Sequence, residues 1–293
     1  MQFVPNQLAA LRSVLRHGSF EAAAQSLGVT ASAISQRVKA LEDRTGTALV
    51  HRGPPSTGTA AGLRLAKHAE DVALLEDQVA RDLALSAPGS AAQLRCAINA
   101  DSLATWFIPA MAACPDLLFD LVIDDQDHSA DWLRRGEVSA AVTCGNKPVG
   151  GCTLHDLGAL RYVATASPSF VARWLAEGVT TTTLSAAPCL VFNAKDALQR
   201  RWMETYVAPG LAPPAHFLPS SQAFIEAAKA GLGWGMNPLS LVQDALAAGD
   251  LVELVPGTPL DVPLGWQVSR VMAAALGPAT RAIVRTARQH LLQ

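Results

Sequence analysis

The chain has 293 residues, half of them apolar, and a formal net charge of −2 at pH 7. That length is enough for two or three compact domains with buried cores. The near-zero overall charge indicates no particular partner, and the odd number of cysteines, five, excludes a complete set of intrachain disulfides. The cysteines also lack zinc-site spacing, so we expect no metal, no other cofactor and a reducing compartment.

Charge is distributed unevenly along the chain. Residues 1–68 contain eight Lys or Arg and three Asp or Glu, so this segment carries +5 and the remainder −7. A basic end on an acidic body suggests an anionic polymer as partner of the first part only. No stretch reaches the roughly 18 apolar residues of a membrane span, and the amphipathic N-terminus is unlike a signal peptide. We therefore expect a cytoplasmic protein without a membrane partner.

Three short helices are predicted before residue 46. Apolar residues repeat at helical spacing on both sides of Ser19, which can cap the second helix, and Gly28-Val29 makes a turn. In the third, Ile34, Val38 and Leu41 form one apolar stripe. This layout is typical of a helix-turn-helix, whose second helix lies in the DNA major groove. An ordinary amphipathic surface helix is the alternative.

The face of the third helix opposite its apolar stripe is polar and basic. Ser and Gln can contact base edges, and Arg and Lys can contact bases or phosphates. With one residue of the following segment, the predicted DNA-binding side chains are Ser32, Ser35, Gln36, Arg37, Lys39 and Arg52.

A β-hairpin and a long helix are predicted next. A short strand ends at Arg52, and Pro54-Pro55 makes the hairpin bend, as in a wing beside a recognition helix. The long helix runs from about Thr59 to Leu85 with apolar residues three and four apart, as in a packing seam. We favour a dimer helix over a helix packed only within its own domain, because Pro88-Gly89-Ser90 separates it from the rest of the chain.

From residue 93 onward, strands alternate with helices, which predicts an α/β body with mostly parallel sheets. Two such units joined by crossing strands would form a hinged, two-lobed ligand trap. Ligands of open α/β sheets bind at the carboxyl ends of strands. In the predicted first lobe these positions are Ser102, at a helix start suited to a carboxylate, Asp124 with Asp125, and Thr143 with Cys144; in the second they are Phe192, Asn193 and Ser221.

An acidic cluster lies between residues 120 and 131, where five of twelve residues are Asp. Crowded carboxylates repel each other unless a cation satisfies them. A cationic amino acid would do so, with its carboxylate at Ser102 and its amine or guanidinium at the acids. The alternatives are a solvated acidic loop and a calcium site, although the cluster lacks the order of an EF-hand loop.

The sequence resembles a known family along essentially its whole length. The segment "FEAAAQSLGVTASAISQRVKALEDRTGTALVHR" is similar to the winged helix of LysR-type transcriptional regulators. The segments "INADSLATWFIPAM", "RRGEVSAAV" and "SSQAFIEAAKAGLGWGMNP" resemble the branch that controls arginine or lysine export. The resemblance implies a winged helix-turn-helix at 1–58, a linker and dimerisation helix at 59–89, and a periplasmic-binding-protein-like effector domain at 90–293. Its lobes would span about 91–162 with 265–293, and about 163–264.

The resemblance also implies partners and effector residues. It places Asp101, Trp106 and Asp125 in the effector site and implies duplex DNA and lysine or arginine as ligands. The expected function is regulation of genes for amino-acid export or metabolism by a homodimer or tetramer, with RNA polymerase as a further candidate partner.

Other interpretations stay open from the sequence. No nucleophile-elbow, Walker or H-E-x-x-H motif is present, so we expect no enzyme. A member of the same family could sense another small anion, or a redox state through Cys144 or another Cys. A cytosolic amino-acid-binding or amino-acid-metabolising α/β protein with an N-terminal interaction domain is the alternative from another class.

Overall fold

The computed structural model describes residues 2–83, 85, 92–124, 129–145 and 147–293. The first part is a winged helix-turn-helix, as the sequence predicted. Its elements are α1 (Pro5–His17), α2 (Phe20–Ser26), α3 (Ala31–Thr45), β1 (Val50–His51) and β2 (Thr57–Gly58). The two strands pair antiparallel as a short hairpin.

Local signals define α3, the second helix of the helix-turn-helix. The Thr30 hydroxyl accepts a hydrogen bond from the Ala33 backbone N–H at 3.2 Å, which caps the helix start. Gly46 ends the helix at φ 69°, a left-handed conformation that favours glycine. Because Ile34 and Val38 are fully buried against the other helices, the opposite face of α3 points outward.

A long linker helix comes next, α4 (Ala60–Asp82), capped by the Thr59 hydroxyl. Its side chains hold the winged helix to the rest of the chain. The buried Lys67 ammonium donates to the Asp71 carboxylate at 2.5 Å and to the Ser139 hydroxyl at 2.7 Å. Ser139 also donates to Asp71 at 2.8 Å, so two residues of α4 and one of the following domain share a closed network.

The remaining elements form a two-lobed α/β domain. Its helices are α5 (Ala100–Ser102), α6 (Ile108–Ala112), α7 (Ser129–Arg134), α8 (Pro168–Trp174), α9 (Thr181–Ala186), α10 (Leu198–Tyr206), α11 (Ser221–Lys229), α12 (Leu239–Ala248) and α13 (Gly277–His290). Its strands are β3 (Ala92–Ile98), β4 (Leu117–Ile123), β5 (Ala140–Cys144), β6 (Cys152–Ala166), β7 (Cys189–Val191), β8 (Ala215–Phe217), β9 (Gly235–Pro238), β10 (Val252–Glu253) and β11 (Leu260–Ser269). A π-helical turn, Leu103–Phe107, joins α5 to α6.

The expectation of mostly parallel sheets is wrong for the large sheet. Its strand order is β10-β6-β11-β5-β3-β4, with β9 also on β6, and only β3 pairs parallel with its neighbours β4 and β5. The other ladders are antiparallel because β6 and β11 run through the domain in opposite directions and pair along ten residues. These crossing strands join the two lobes: β11 pairs with β5 in the first lobe, and the end of β6 pairs with β9 and β10 in the second.

Separate apolar cores support the two parts. One cluster lies within the winged helix, and the largest surrounds the crossing strands and includes four fully buried Trp side chains, Trp106, Trp202, Trp234 and Trp266. Within the described part of the chain, no helix is both long and apolar enough to span a bilayer.

Candidate functional site

The outward face of α3 is polar and basic. Ser32, Gln36 and Lys39 are exposed, while Ser35 and Arg37 are partly buried at the edges of this face. Their side chains project from the face opposite Ile34 and Val38, so an external partner can reach them without disturbing the core. In a helix-turn-helix this face enters the major groove.

Arg52 lies at the start of the wing and is tied to its own domain. Its guanidinium is 3.7 Å from the Glu42 carboxylate and lies over the Phe20 ring, 5.4 Å from the ring centroid. More than half of the Arg52 side chain remains exposed. Arg52 can therefore present positive charge beside α3 while its orientation is fixed by these two contacts.

A second candidate site is a pocket between the lobes, with an empty volume of about 490 Å³. This volume includes space that is open to solvent. Its walls come from the ends of β3 and β4, the segment after β7, the start of α11 and β9. The described lining residues are Asn99, Ala100, Asp101, Asp124, Phe192, Asp196, Leu198, Ser221, Phe224, Met236, Asn237 and Pro238.

Three carboxylates give this pocket its chemistry. Asp101, Asp124 and Asp196 line it, and its described lining residues include no Lys, Arg or His. Two helix starts also lie at its wall, at Ala100 of α5 and at Ser221 of α11. Since helix N-termini favour anions and carboxylates favour cations, the pocket suits a ligand that carries both kinds of charge.

Asp101 connects the two lobes through its carboxylate. Oδ1 accepts a hydrogen bond from the Ser221 hydroxyl of α11 at 2.6 Å, and Oδ2 accepts one from the Tyr162 hydroxyl of β6 at 2.9 Å. Burial raises the pKa of Asp101 above its ordinary value, although the two hydroxyls act in the opposite direction. The carboxylate is thus costly to ionise without a cation, and each of its oxygens can accept a further hydrogen bond.

Asp124 makes the second connection between the lobes. It directly succeeds β4, and its Oδ1 accepts a hydrogen bond from the Lys195 ammonium of the second lobe at 2.8 Å. Its Oδ2 accepts one from Trp132 Nε1 at 2.9 Å. Asp124 therefore occupies the predicted strand end, and a cation already neutralises it.

The third carboxylate, Asp196, has a different environment. Oδ2 accepts from the Phe192 backbone N–H at 2.9 Å, and Oδ1 accepts from the Leu198 backbone N–H at 3.0 Å. These bonds hold the loop after β7 in shape. Sequence reasoning missed both Lys195 and Asp196, although the charged pair lies just after the strand end at Phe192 and Asn193 that it did identify.

The structure brings only part of the predicted effector set to the pocket. Asp101, Asp124, Phe192 and Ser221 line it. The other described members are not in its wall: Ser102, Trp106, Thr143, Cys144 and Asn193. Asp125 lies outside the described residues.

Three of the residues absent from the wall are buried. Ser102 and Trp106 are fully buried, because the helical turns after Ala100 carry their side chains into the core. Thr143 is buried beside β11, where its hydroxyl accepts a hydrogen bond from Gln267 Nε2 at 2.8 Å. The expectation that the Ser102 hydroxyl reaches a ligand carboxylate therefore has no support from this arrangement.

The other two predicted residues outside the pocket wall are Cys144 and Asn193. Cys144 is partly buried and packs against the large core cluster. Asn193 uses its side-chain oxygen to accept a hydrogen bond from the Lys195 backbone N–H at 2.8 Å, which shapes the loop rather than the pocket wall.

Comparisons with known proteins agree with this architecture. The model for "Bacterial regulatory helix-turn-helix protein, lysR family" matches residues 5–63, and that for "LysR substrate binding domain" matches residues 88–292. The transcriptional regulator LysG of Mycobacterium tuberculosis is 44% identical over 261 residues, which cover 89% of this chain and 86% of that protein.

Two solved structures extend the likeness to the whole chain. The crystal structure of ArgP from Mycobacterium tuberculosis has a TM-score of 0.80 and 40% identity, and the match covers 99% of both chains. Full-length LysG from Corynebacterium glutamicum with bound effector Arg has a TM-score of 0.67 and 35% identity, covering 99% of this chain and 100% of that one.

The winged helix, the linker helix and the two-lobed domain together define a DNA-binding transcriptional regulator. The chain belongs to the LysR family of these regulators, as the resemblance in its sequence indicated.

Proposed function

We propose that this regulator responds to a basic amino acid, lysine or arginine, bound between the lobes of its effector domain. The observation that carries the proposal is the pocket wall, which contains the carboxylates of Asp101 and Asp124 together with helix starts at Ala100 and Ser221. The proteins named LysG and ArgP are similar over most of this chain, and one LysG structure contains Arg as its effector.

The pocket suggests an orientation for the ligand. The side-chain cation would pair with Asp124, because an ammonium already occupies that position in the form of Lys195. The α-ammonium would pair with Asp101, and the α-carboxylate would lie at the helix starts, where backbone N–H groups and the helix dipole favour an anion. A free amino acid of this class has all three charges, whereas a neutral amino acid lacks the side-chain cation.

Calorimetry on the full-length protein tests the effector proposal. Lysine and arginine should bind. Norleucine and citrulline, which match them in size but lack the side-chain charge, should bind at least about 10-fold more weakly, since hydrogen bonds to charged groups contribute about 1.5–3 kcal/mol. Equal affinity for lysine and norleucine would contradict the assigned role of Asp124.

We further propose that Ser32, Ser35, Gln36, Arg37, Lys39 and Arg52 contact DNA. The same proposal includes three domains, at 1–58, 59–89 and 90–293, and assembly as a homodimer or tetramer. The regulator would act in the cytoplasm on genes for amino-acid export or metabolism. RNA polymerase would be a partner when the bound regulator acts on a promoter. We assign no catalytic role to the chain.

The DNA face yields a prediction with a matched control. Gln36→Ala should reduce discrimination at one base position by about 1–3 kcal/mol, the value of a bidentate base contact. Lys39→Ala should instead weaken binding to all sequences alike and lower the salt slope by about one. Binding-site selection and salt titration with both variants measure these outcomes. Unchanged sequence preference in Gln36→Ala would mean that another face of α3 meets the bases.

Four of the five thiols give little support to the redox alternative. Burial raises the pKa of Cys96, Cys114 and Cys152, and it raises the pKa of Cys189 to about 11. Because the thiolate is the reactive form, these four groups are poor sensors. All five cysteines lie in the described part of the chain, and none of them forms a disulfide there.

A further inference from the structure

The Lys195 ammonium pairs with Asp124, the carboxylate that would bind the side-chain cation of the proposed effector. Its ammonium lies 2.8 Å from Asp124 Oδ1, and this ion pair joins the loop after β7 in the second lobe to the end of β4 in the first. The ammonium of Lys195 is chemically the same group as the side-chain ammonium of free lysine. A ligand cation and Lys195 therefore cannot both hold this oxygen in the same way.

We propose that Lys195 is a tethered competitor of the effector, which occupies Asp124 until a lysine or arginine side chain displaces it. This inference rests on the proposed function and deepens it. Lys195 would then set the effector concentration at which the regulator responds, and it would favour ligands with a side-chain cation over neutral ones. A neutral amino acid would have to displace the Lys195 ammonium without bringing another cation to Asp124.

The loop that carries Lys195 is suited to release the side chain alone. The Lys195 backbone N–H donates to Asn193 Oδ1 at 2.8 Å, and Asp196 accepts hydrogen bonds from Phe192 and Leu198 on either side. The backbone is thus fixed from both directions. The side chain of Lys195 is 47% exposed, so its ammonium can leave Asp124 and be hydrated, and breaking such an exposed ion pair costs little.

Asp124, in contrast, cannot easily lose its partner to water. Its side chain is only 17% exposed, and Trp132 Nε1 holds its second oxygen at 2.9 Å. A partly buried carboxylate favours a bound cation over none. Exchange of one cation for another keeps Asp124 neutralised, and an effector that also contacts the second lobe would maintain a bridge between the lobes.

Titration calorimetry of the full-length protein with lysine and norleucine tests this proposal. Lys195→Met removes the ammonium but keeps an unbranched apolar side chain, and it should tighten lysine binding about three- to tenfold, as expected for loss of a partly exposed ion pair on a short tether. Norleucine binding should also tighten, because no ammonium has to be expelled, but it should stay weaker than lysine binding because norleucine brings no cation to Asp124. Lys195→Arg, which keeps the charge, should leave lysine affinity close to that of the wild type.

Two controls assign the effect to Asp124. Lys229→Met removes a second-lobe lysine whose ammonium lies 3.7 Å from Glu226 and 3.9 Å from Asp250, and lysine affinity should stay unchanged. In an Asp124→Asn background, Lys195→Met should give no further tightening, because the contested carboxylate is gone. Thermal unfolding of each variant verifies that it is folded.

The outcomes separate this inference from the proposed function. If the wild type binds lysine and Lys195→Met binds it equally or more weakly, Lys195 is not a competitor, and the basic-amino-acid proposal stands. If lysine and arginine bind neither the wild type nor Lys195→Met, both proposals are overturned. Binding by Lys195→Met alone would support both, since it would show that the tethered ammonium blocks the site.

Discussion

Replacing Val79 with Asp is expected to produce monomers and to lower operator affinity about 100-fold or more, the loss expected when two linked binding units are separated. Val79 and Leu83 lie one turn apart at the end of the linker helix, and their side chains are 55% and 62% exposed. Two apolar side chains in water on one face of a long helix suit contact with a second copy of that helix. An unpaired carboxylate at that contact would strongly oppose association.

Sedimentation velocity and operator titration measure these two effects, and Val79→Thr is the matched control. Thr keeps the branched shape without a charge, so it should retain the dimer. Because an acid in the last turn of α4 also interacts unfavourably with the helix dipole, circular dichroism must show that α4 remains helical. An intact oligomer in Val79→Asp would exclude this face of α4 from the interface.

The apolar seam predicted for the linker helix serves more than one purpose. Ala69, near its middle, packs in the core of the winged helix, and Leu75, further along, packs against the core of the effector domain. The last turn leaves Val79 and Leu83 exposed. A charge at Leu75 would therefore affect the fold of the effector domain as well as the dimer. The spacing of apolar residues in the sequence did not reveal this packing.

The winged helix was predictable because its determinants are local. The Thr30 cap, the Gly46 stop and the stripe of Ile34 and Val38 all lie within one helix and its ends. Each signal fixes a boundary or a buried face without reference to the rest of the chain. The assignment of α3 and its outward face from the sequence is confirmed.

The second lobe was harder to predict. Helices α8, α9 and α10 were missed, and the paired strand β8 has only three exposed residues without an apolar run. The direction of β6 and β11 depends on how distant segments pair, so the antiparallel ladders could not be inferred from alternating strands and helices. The pattern of elements indicated the fold class but not the pairing.

In the pocket, too, contacts between residues far apart in the sequence could not be predicted. The sequence identified Asp101, Asp124 and Ser221 separately, as residues at strand ends or helix starts. It could not show that Asp101 meets Ser221, 120 residues away, or that Asp124 meets Lys195, 71 residues away. These contacts depend on how the crossing strands set the lobes against each other.

Asp101→Asn is expected to weaken lysine and arginine binding about 10- to 100-fold, the range for losing a hydrogen bond to a charged group. The carboxamide oxygen can still accept from the Ser221 hydroxyl, and the Tyr162 hydroxyl can accept from its N–H group, so the contact between the lobes should persist. Calorimetry with lysine measures the loss. Unchanged affinity would remove Asp101 from the effector site.

The same variant should be more stable than the wild type at neutral pH. Burial raises the pKa of Asp101, so the folded state binds its proton more tightly than the unfolded state, and stability falls as pH rises between the two pKa values. Above the folded-state pKa the cost of the ionised carboxylate is fully present, and Asp101→Asn removes it. Below the unfolded-state pKa the two proteins should differ little.

Asp261→Asn provides a control of opposite sign. Two hydrogen bonds from Arg161, each 2.8 Å long, lower the pKa of Asp261, so its contribution to stability is present at neutral pH and is lost on acidification. This variant should be slightly less stable at pH 7 and should retain lysine binding. Unfolding midpoints measured from pH 3 to pH 8 compare the three proteins. A lower midpoint for Asp101→Asn at pH 7 would show that the ionised carboxylate stabilises the contact between the lobes.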